Sequence, residues 1–115
     1  IEQLTEDHSL VNERVRAGLL TEEEAKNHKL KNIITRSLGF MEDVEIDLSV
    51  RAVRRGDMFV LCSDGLSNLV EAEEMSDSAL EFGPQGSARR MIETACERGG
   101  DDNITVIVVR IDESP

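Results

Sequence analysis

The chain has 115 residues and sets 13 Lys and Arg against 24 Asp and Glu, a formal charge of −11 at pH 7. That balance argues against nucleic-acid binding through overall charge, and zero Trp, zero Tyr and three Phe leave little with which to stack bases. A composition 39% hydrophobic and 32% charged suits one globular domain rather than a disordered tail, and no window approaches the ~18–20 apolar residues of a membrane span.

Taken in chain order, Thr5 or Asp7 caps a first helix through Leu10, Val11 and Val15, with Gly18 as its stop. Thr21 followed by Glu24 is a capping-box pattern and predicts a second helix from Glu22 towards Lys29. Val44, Ile46, Leu48 and Val50 alternate with polar residues, as in a strand with one wet face. A turn at Arg54-Arg55-Gly56-Asp57 leads to the apolar run Met58–Cys62, so the two segments predict a hairpin whose second strand is buried on both faces. A helix is predicted over Glu71–Leu80, a break at Gly83-Pro84-Gln85-Gly86, and a further helix capped by Ser87. Its apolar face carries Ala88, Met91, Ile92, Ala95 and Cys96. Gly99-Gly100 ends that helix, and the β-branched stretch Ile104–Ile111 predicts a central strand. Strands mixed with amphipathic helices indicate an α+β fold with helices packed on sheet.

The remaining polar residues have plain readings. Cys62 and Cys96 sit in apolar stretches without metal-ligand spacing, which predicts buried thiols in a reducing compartment rather than a disulfide. His8 and His28 stand alone among charges, and Arg51, Arg54 and Arg55 are solubilising charges around a turn.

Two carboxylates occupy unusual places. Asp64 follows the run Phe59–Cys62 within Ser63-Asp64-Gly65, and Asp102 precedes the run Ile104–Val109 within Gly99-Gly100-Asp101-Asp102-Asn103. If the two runs pair antiparallel, the end of one and the start of the other share a sheet edge, where strands are only ~4.8 Å apart. Two carboxylates so close favour a shared proton or a cation. Oxygen ligands without a Cys/His cluster select a hard ion such as Mg²⁺ or Mn²⁺. Ser-Asp-Gly is also a common turn, and Gly-Gly-Asp-Asp-Asn serves equally as a helix stop and loop, so spacing alone leaves both readings open.

Four segments, in order, carry a family resemblance: Leu4-Thr5-Glu6-Asp7-His8-Ser9-Leu10-Val11, Asn32-Ile33-Ile34-Thr35-Arg36-Ser37-Leu38-Gly39, Gly56–Leu66 with its Ser63-Asp64-Gly65 core, and Gly99–Val106. Together they resemble the C-terminal half of the bacterial metal-dependent (type-2C, PPM) protein serine/threonine phosphatases. The resemblance implies part of an α-β-β-α sandwich, two antiparallel sheets flanked by helices, with the N-terminal half missing. A start at Ile1 in mid-pattern agrees with that expectation. Residues 1–115 would then be the C-terminal part of one phosphatase domain, with about 12–32 as a flap-like segment beside the active site.

The resemblance further implies two or more Mg²⁺ or Mn²⁺ ions in the complete domain, with Asp64 and Asp102 as metal ligands, Asp101 left in solvent, and Asn103 orienting the loop. The implied reaction is hydrolysis of phosphoserine or phosphothreonine in a protein substrate by a metal-activated water. The chain alone would lack the ligands and the phosphate-contacting Arg of the other half and is expected to be inactive. Expected partners are a phosphorylated protein, a cognate Ser/Thr kinase, and either the missing half or another strand along the open sheet edges; nucleic acid and membrane are not expected, and the expected location is cytoplasmic. The rival readings are a non-catalytic phosphatase-like regulatory or binding module and an acidic interaction domain whose Asp-rich turns are incidental.

Overall fold

Two apolar runs find each other across more than forty residues of chain. Met58–Cys62 (β1) and Val106–Arg110 (β2) pair antiparallel, with Val60 opposite Val108 and Cys62 opposite Val106. In the computed structural model, which describes residues 1–113, they belong to a unit formed mainly by the chain from Arg51 onward; Glu2–Val50 make up a second unit. The elements run α1 (Leu10–Arg16), α2 (Glu22–Lys26), β1, α3 (Asp64–Ser67), α4 (Ala72–Glu97) and β2. This is the α+β architecture expected, built on a two-stranded sheet.

In the larger unit, alternation along the strands decides what is covered. Val60, Val106 and Val108 pack on a core of Leu66, Val70, Met75, Met91 and Ala95, supplied by α3, α4 and the turn between them. The alternate residues Leu61, Ile107 and Val109 remain 55%, 56% and 42% exposed. The expectation that β1 is buried on both faces is therefore corrected, as is the central position of β2. Among the described residues each strand has one neighbour, and only one face of the pair is covered. Cys62, at the end of β1, and Cys96, on α4, are exposed rather than buried as expected, and neither is in a disulfide.

Helix α4 is two limbs joined at a kink. Gly83 adopts φ 68°, ψ −175°, a conformation that L side chains rarely reach, and Pro84 follows at the first position of the second limb, where a missing N–H costs nothing. The break thus falls where the sequence placed it, but the predicted cap does not. Ser87 lies within the second limb, fully buried, and donates its hydroxyl proton to the Pro84 carbonyl oxygen at 3.1 Å. The predicted apolar face is narrower than expected: Met91 and Ala95 are buried, whereas Ile92 and Cys96 face solvent. At the C-terminus the Gly100 N–H donates to Ala95 O and the Gly99 N–H to Cys96 O, a Schellman pattern with positive φ at both glycines.

A charged brace holds the ends of α4 together. The Arg98 guanidinium grips Glu74 through two bonds of 2.6 and 2.8 Å and also donates to the Leu69 carbonyl oxygen at 2.7 Å. The Glu74 carboxylate accepts from the Glu71 N–H as well.

In the smaller unit Ser9, rather than Thr5 or Asp7, caps α1 by accepting from the Asn12 N–H. The Thr21–Glu24 capping box forms as read, and α2 ends at Lys26, short of Lys29. His8 is not alone: its Nε2 lies 2.7 Å from Asp47 Oδ2, and the Arg36 guanidinium reaches Asp47 Oδ1 at 3.1 Å. The hydrogen bond to His8, then that to Arg36, holds the Asp47 carboxyl below its usual range. His28 accepts from the Leu30 N–H through Nδ1. The alternating segment Val44–Val50 forms no strand, and Ile46, Leu48 and Val50 are 81–89% exposed. A strand needs a ladder partner, and none of the described residues supplies one.

The Glu74 brace sets an acid limit. Hydrogen bonds from Arg98, then from the Glu71 N–H, lower the Glu74 pKa from 4.5 to about 2. Between those values the unfolded chain binds the proton that the folded chain refuses. The contribution is complete above pH 4.5 and fades as the pH falls towards about 2. Glu74→Gln is expected to flatten the decline of Tm over that window, measured by thermal denaturation across pH. A decline as steep as that of the parent protein would contradict the assignment.

Candidate metal centre

The residues that end β1 and begin β2 are locked together by one hydroxyl group. The Ser63 N–H donates to Thr105 O at 3.0 Å, carrying the ladder one residue past the strand. Its Oγ accepts from the Thr105 N–H at 3.1 Å and donates to the Asn103 carbonyl oxygen at 3.3 Å. Ser63 is also the N-cap of α3 but makes no side-chain bond to that helix, because its hydroxyl is spent across the strands.

Gly65 is the second lock. It is buried, and a Cβ built on it would overlap the Asn103 carbonyl oxygen and approach its carbonyl carbon to 3.0 Å. Only a residue with no side chain permits this backbone-to-backbone approach. The same position lies 3.5 Å from Asp102 Cβ, and Asp64 is one residue, about 3.8 Å of Cα spacing, away. Leu66, fully buried in the core beside Val70, anchors the turn from beneath.

Asp64 and Asp102 are thereby neighbours at one end of the β1–β2 pair, both exposed. Asp64 is the first residue of α3, and one oxygen of Asp102 accepts the Asn103 N–H at 2.7 Å. Asp101 is also exposed, with its carboxylate turned back against Gly99. Asn103 joins the two loops through its backbone carbonyl. Among the described residues no group of three or more His, Cys, Asp or Glu side chains converges as a metal-binding set. Two exposed carboxylates on a rigid loop pair suit a hard ion as donors but fill only part of its coordination sphere. Sequence reasoning missed Ser63 and Gly65 as positioning residues. The available signal was a polar hydroxyl and a glycine flanking an acid directly after an apolar strand.

No family model matches the sequence. A putative 2C-type protein phosphatase of Streptococcus pyogenes is 47% identical over 107 residues, which is 92% of this chain and 44% of that protein. The structure of a serine/threonine phosphatase from S. agalactiae superposes with a TM-score of 0.90 at 45% identity, covering 96% of this chain and 46% of the other. The chain is a homologue of the type-2C serine/threonine phosphatases. It spans about half the length of the curated relatives it matches. The catalytic domain of the phosphatase PstP, solved in complex with two manganese ions, superposes with a TM-score of 0.84 at 38% identity, over 96% of this chain and 45% of that one.

The Gly65 contact is testable without catalysis. A methyl group at this site meets backbone, which cannot swing aside as a side chain would, so Gly65→Ala should cost about 1–3 kcal/mol of stability. Urea denaturation of the two proteins measures the difference, and an unchanged midpoint would show that the Asn103 approach is not tight.

Proposed function

We propose that this chain forms the C-terminal part of the catalytic domain of a metal-dependent protein serine/threonine phosphatase, with Asp64 and Asp102 among its metal ligands. The observation that carries the reading is the junction at which Ser63 and Gly65 hold the two acidic loops together, in a chain homologous to type-2C phosphatases. Bound Mg²⁺ or Mn²⁺ supplies a water ready for attack on phosphorus and neutralises charge on the phosphoryl oxygens. The chain's own residues hold the two acidic loops together: Ser63 ties the strand ends, Gly65 allows the close approach, and the Asn103 N–H orients Asp102. The remaining ligands, and a cation to bind the substrate phosphate, belong in this reading to the other half of the domain.

The exposed face of β1–β2 and the unpaired segment Val44–Val50 fit the same picture. In a complete α-β-β-α sandwich a second sheet covers that face, and 44–50 gains strand partners. Residues 12–32, which contain most of α1 and all of α2, are the flap-like segment of this reading. The substrate is a phosphorylated serine or threonine in a protein, and a kinase producing it is the expected partner. Two exposed cysteines without a disulfide suit a reducing, cytoplasmic setting. No described helix is long and apolar enough to cross a membrane.

Activity provides the test. In the full-length protein, Asp64→Asn or Asp102→Asn should each lower Mn²⁺-dependent hydrolysis of p-nitrophenyl phosphate by about 100-fold or more, while the melting temperature stays near that of the parent. The 115-residue chain by itself should show no such turnover. Near-full rates in either variant would remove that residue from the ligand set, and a full-length protein with no Mn²⁺-dependent rate would favour a non-catalytic, phosphatase-like binding module.

A further inference from the structure

The alternating run Val44–Val50 is anchored from one side. The Arg36 guanidinium donates to the Glu45 carbonyl oxygen at 3.1 Å and binds the Asp47 carboxylate, which also meets His8. In an extended strand the backbone groups of alternate residues point to the same edge. With Glu45 turned to Arg36, the N–H and C=O groups of Ile46, Leu48 and Val50 belong to the opposite edge. Among the described residues these three make no backbone hydrogen bond, and their side chains are almost wholly in water. We propose that this open edge is a self-association site, at which residues 45–51 of two copies of the chain pair antiparallel about a two-fold axis through Leu48. The proposal concerns the 115-residue chain and does not rest on the phosphatase reading, in which the other half of the domain contends for the same residues.

Charge complementarity names the occupant and the register. Parallel pairing in register sets Glu45 beside Glu45 and Asp47 beside Asp47. Antiparallel pairing about residue 46 sets Glu45 against Asp47, and pairing about residue 47 sets Asp47 against itself. Like charges directly opposite destabilise a strand pair. About Leu48 the pattern instead complements itself: Glu45 lies opposite Arg51 of the second copy, and Asp47 opposite Ser49. The two-fold axis repeats the Glu45–Arg51 match at both ends. Pairing about Ser49 spends Arg51 on Asp47, which His8 and Arg36 already neutralise.

The apolar side chains obey the same register. Ile46 meets Val50 and Leu48 meets Leu48, so one face of the joined ribbon is continuously apolar while the N–H and C=O groups of all three residues gain partners. Glu45 is open to a second cation, because Arg36 approaches its carboxylate only to 3.5 Å and leaves the side chain 82% exposed. An unrelated apolar strand offers the backbone bonds without the charge match.

Sedimentation equilibrium of the 115-residue protein tests the proposal. A two-stranded ribbon is a small interface, so a reversible monomer–dimer equilibrium is expected at about 10 µM to 1 mM protein. Leu48→Lys, at an exposed position, should weaken the dimer about tenfold or more by setting two cations face to face. Arg51→Glu places a like charge opposite Glu45 at both ends and should weaken it about tenfold, while the charge-swapped Glu45→Arg, Arg51→Glu protein should return to within about threefold of the parent. Each variant should keep the circular dichroism spectrum of the parent. A monomer up to ~1 mM, association that survives Leu48→Lys, or a charge-swapped protein no tighter than Arg51→Glu alone would overturn the proposal.

Discussion

The Asn103 carbonyl oxygen occupies the space in which any side chain at residue 65 would begin, and the geometry of the acidic loops follows from that contact. A backbone group cannot rotate out of the way, so glycine at position 65 is a steric requirement rather than a preference. Ser63 completes the junction by using one hydroxyl in both senses, accepting from Thr105 and donating to Asn103. Each bond is modest alone, about 0.5–1.5 kcal/mol net. Together they fix where the strand pair ends, and with it the relation of Asp64 to Asp102.

The larger unit around this junction is built from one side. Leu66, Val70, Met75, Met91 and Ala95 fill the space between α4 and one face of the strand pair, and the Arg98–Glu74 clasp closes the helix ends. The opposite face keeps Leu61, Ile107 and Val109 in water. Apolar surface of this kind ordinarily marks an interaction region. In the proposed reading, the other half of a phosphatase domain covers that face of the strand pair.

Local chemistry made some features legible and tertiary context hid others. The Thr21–Glu24 capping box and the break at Gly83-Pro84 depend on short-range geometry and occur as read. The antiparallel pairing of the two apolar runs, which composition left as a condition, does form, and it brings the loops that carry Asp64 and Asp102 to one end of the strand pair. Ser87 misled because serine is a strong cap, yet Pro84 three residues earlier is a better helix start and turns the Ser87 hydroxyl inward. Thr5, Asp7 and Ser9 are all competent caps, and only the docking of Leu10 on Ile33 through the backbone selects Ser9. Burial of Cys62 and pairing of Val44–Val50 were beyond reach, since both depend on what covers them, which alternation does not encode.

The claim that Asp64 and Asp102 serve one ion is tested most directly by paramagnetic broadening. Trace Mn²⁺ added to the ¹⁵N-labelled protein should broaden the amides of Ser63–Leu66 and Asp102–Thr105 first and in parallel, with excess Mg²⁺ restoring both sets together. Broadening of one loop without the other, or uniform loss of signal over the acidic surface, would contradict the account.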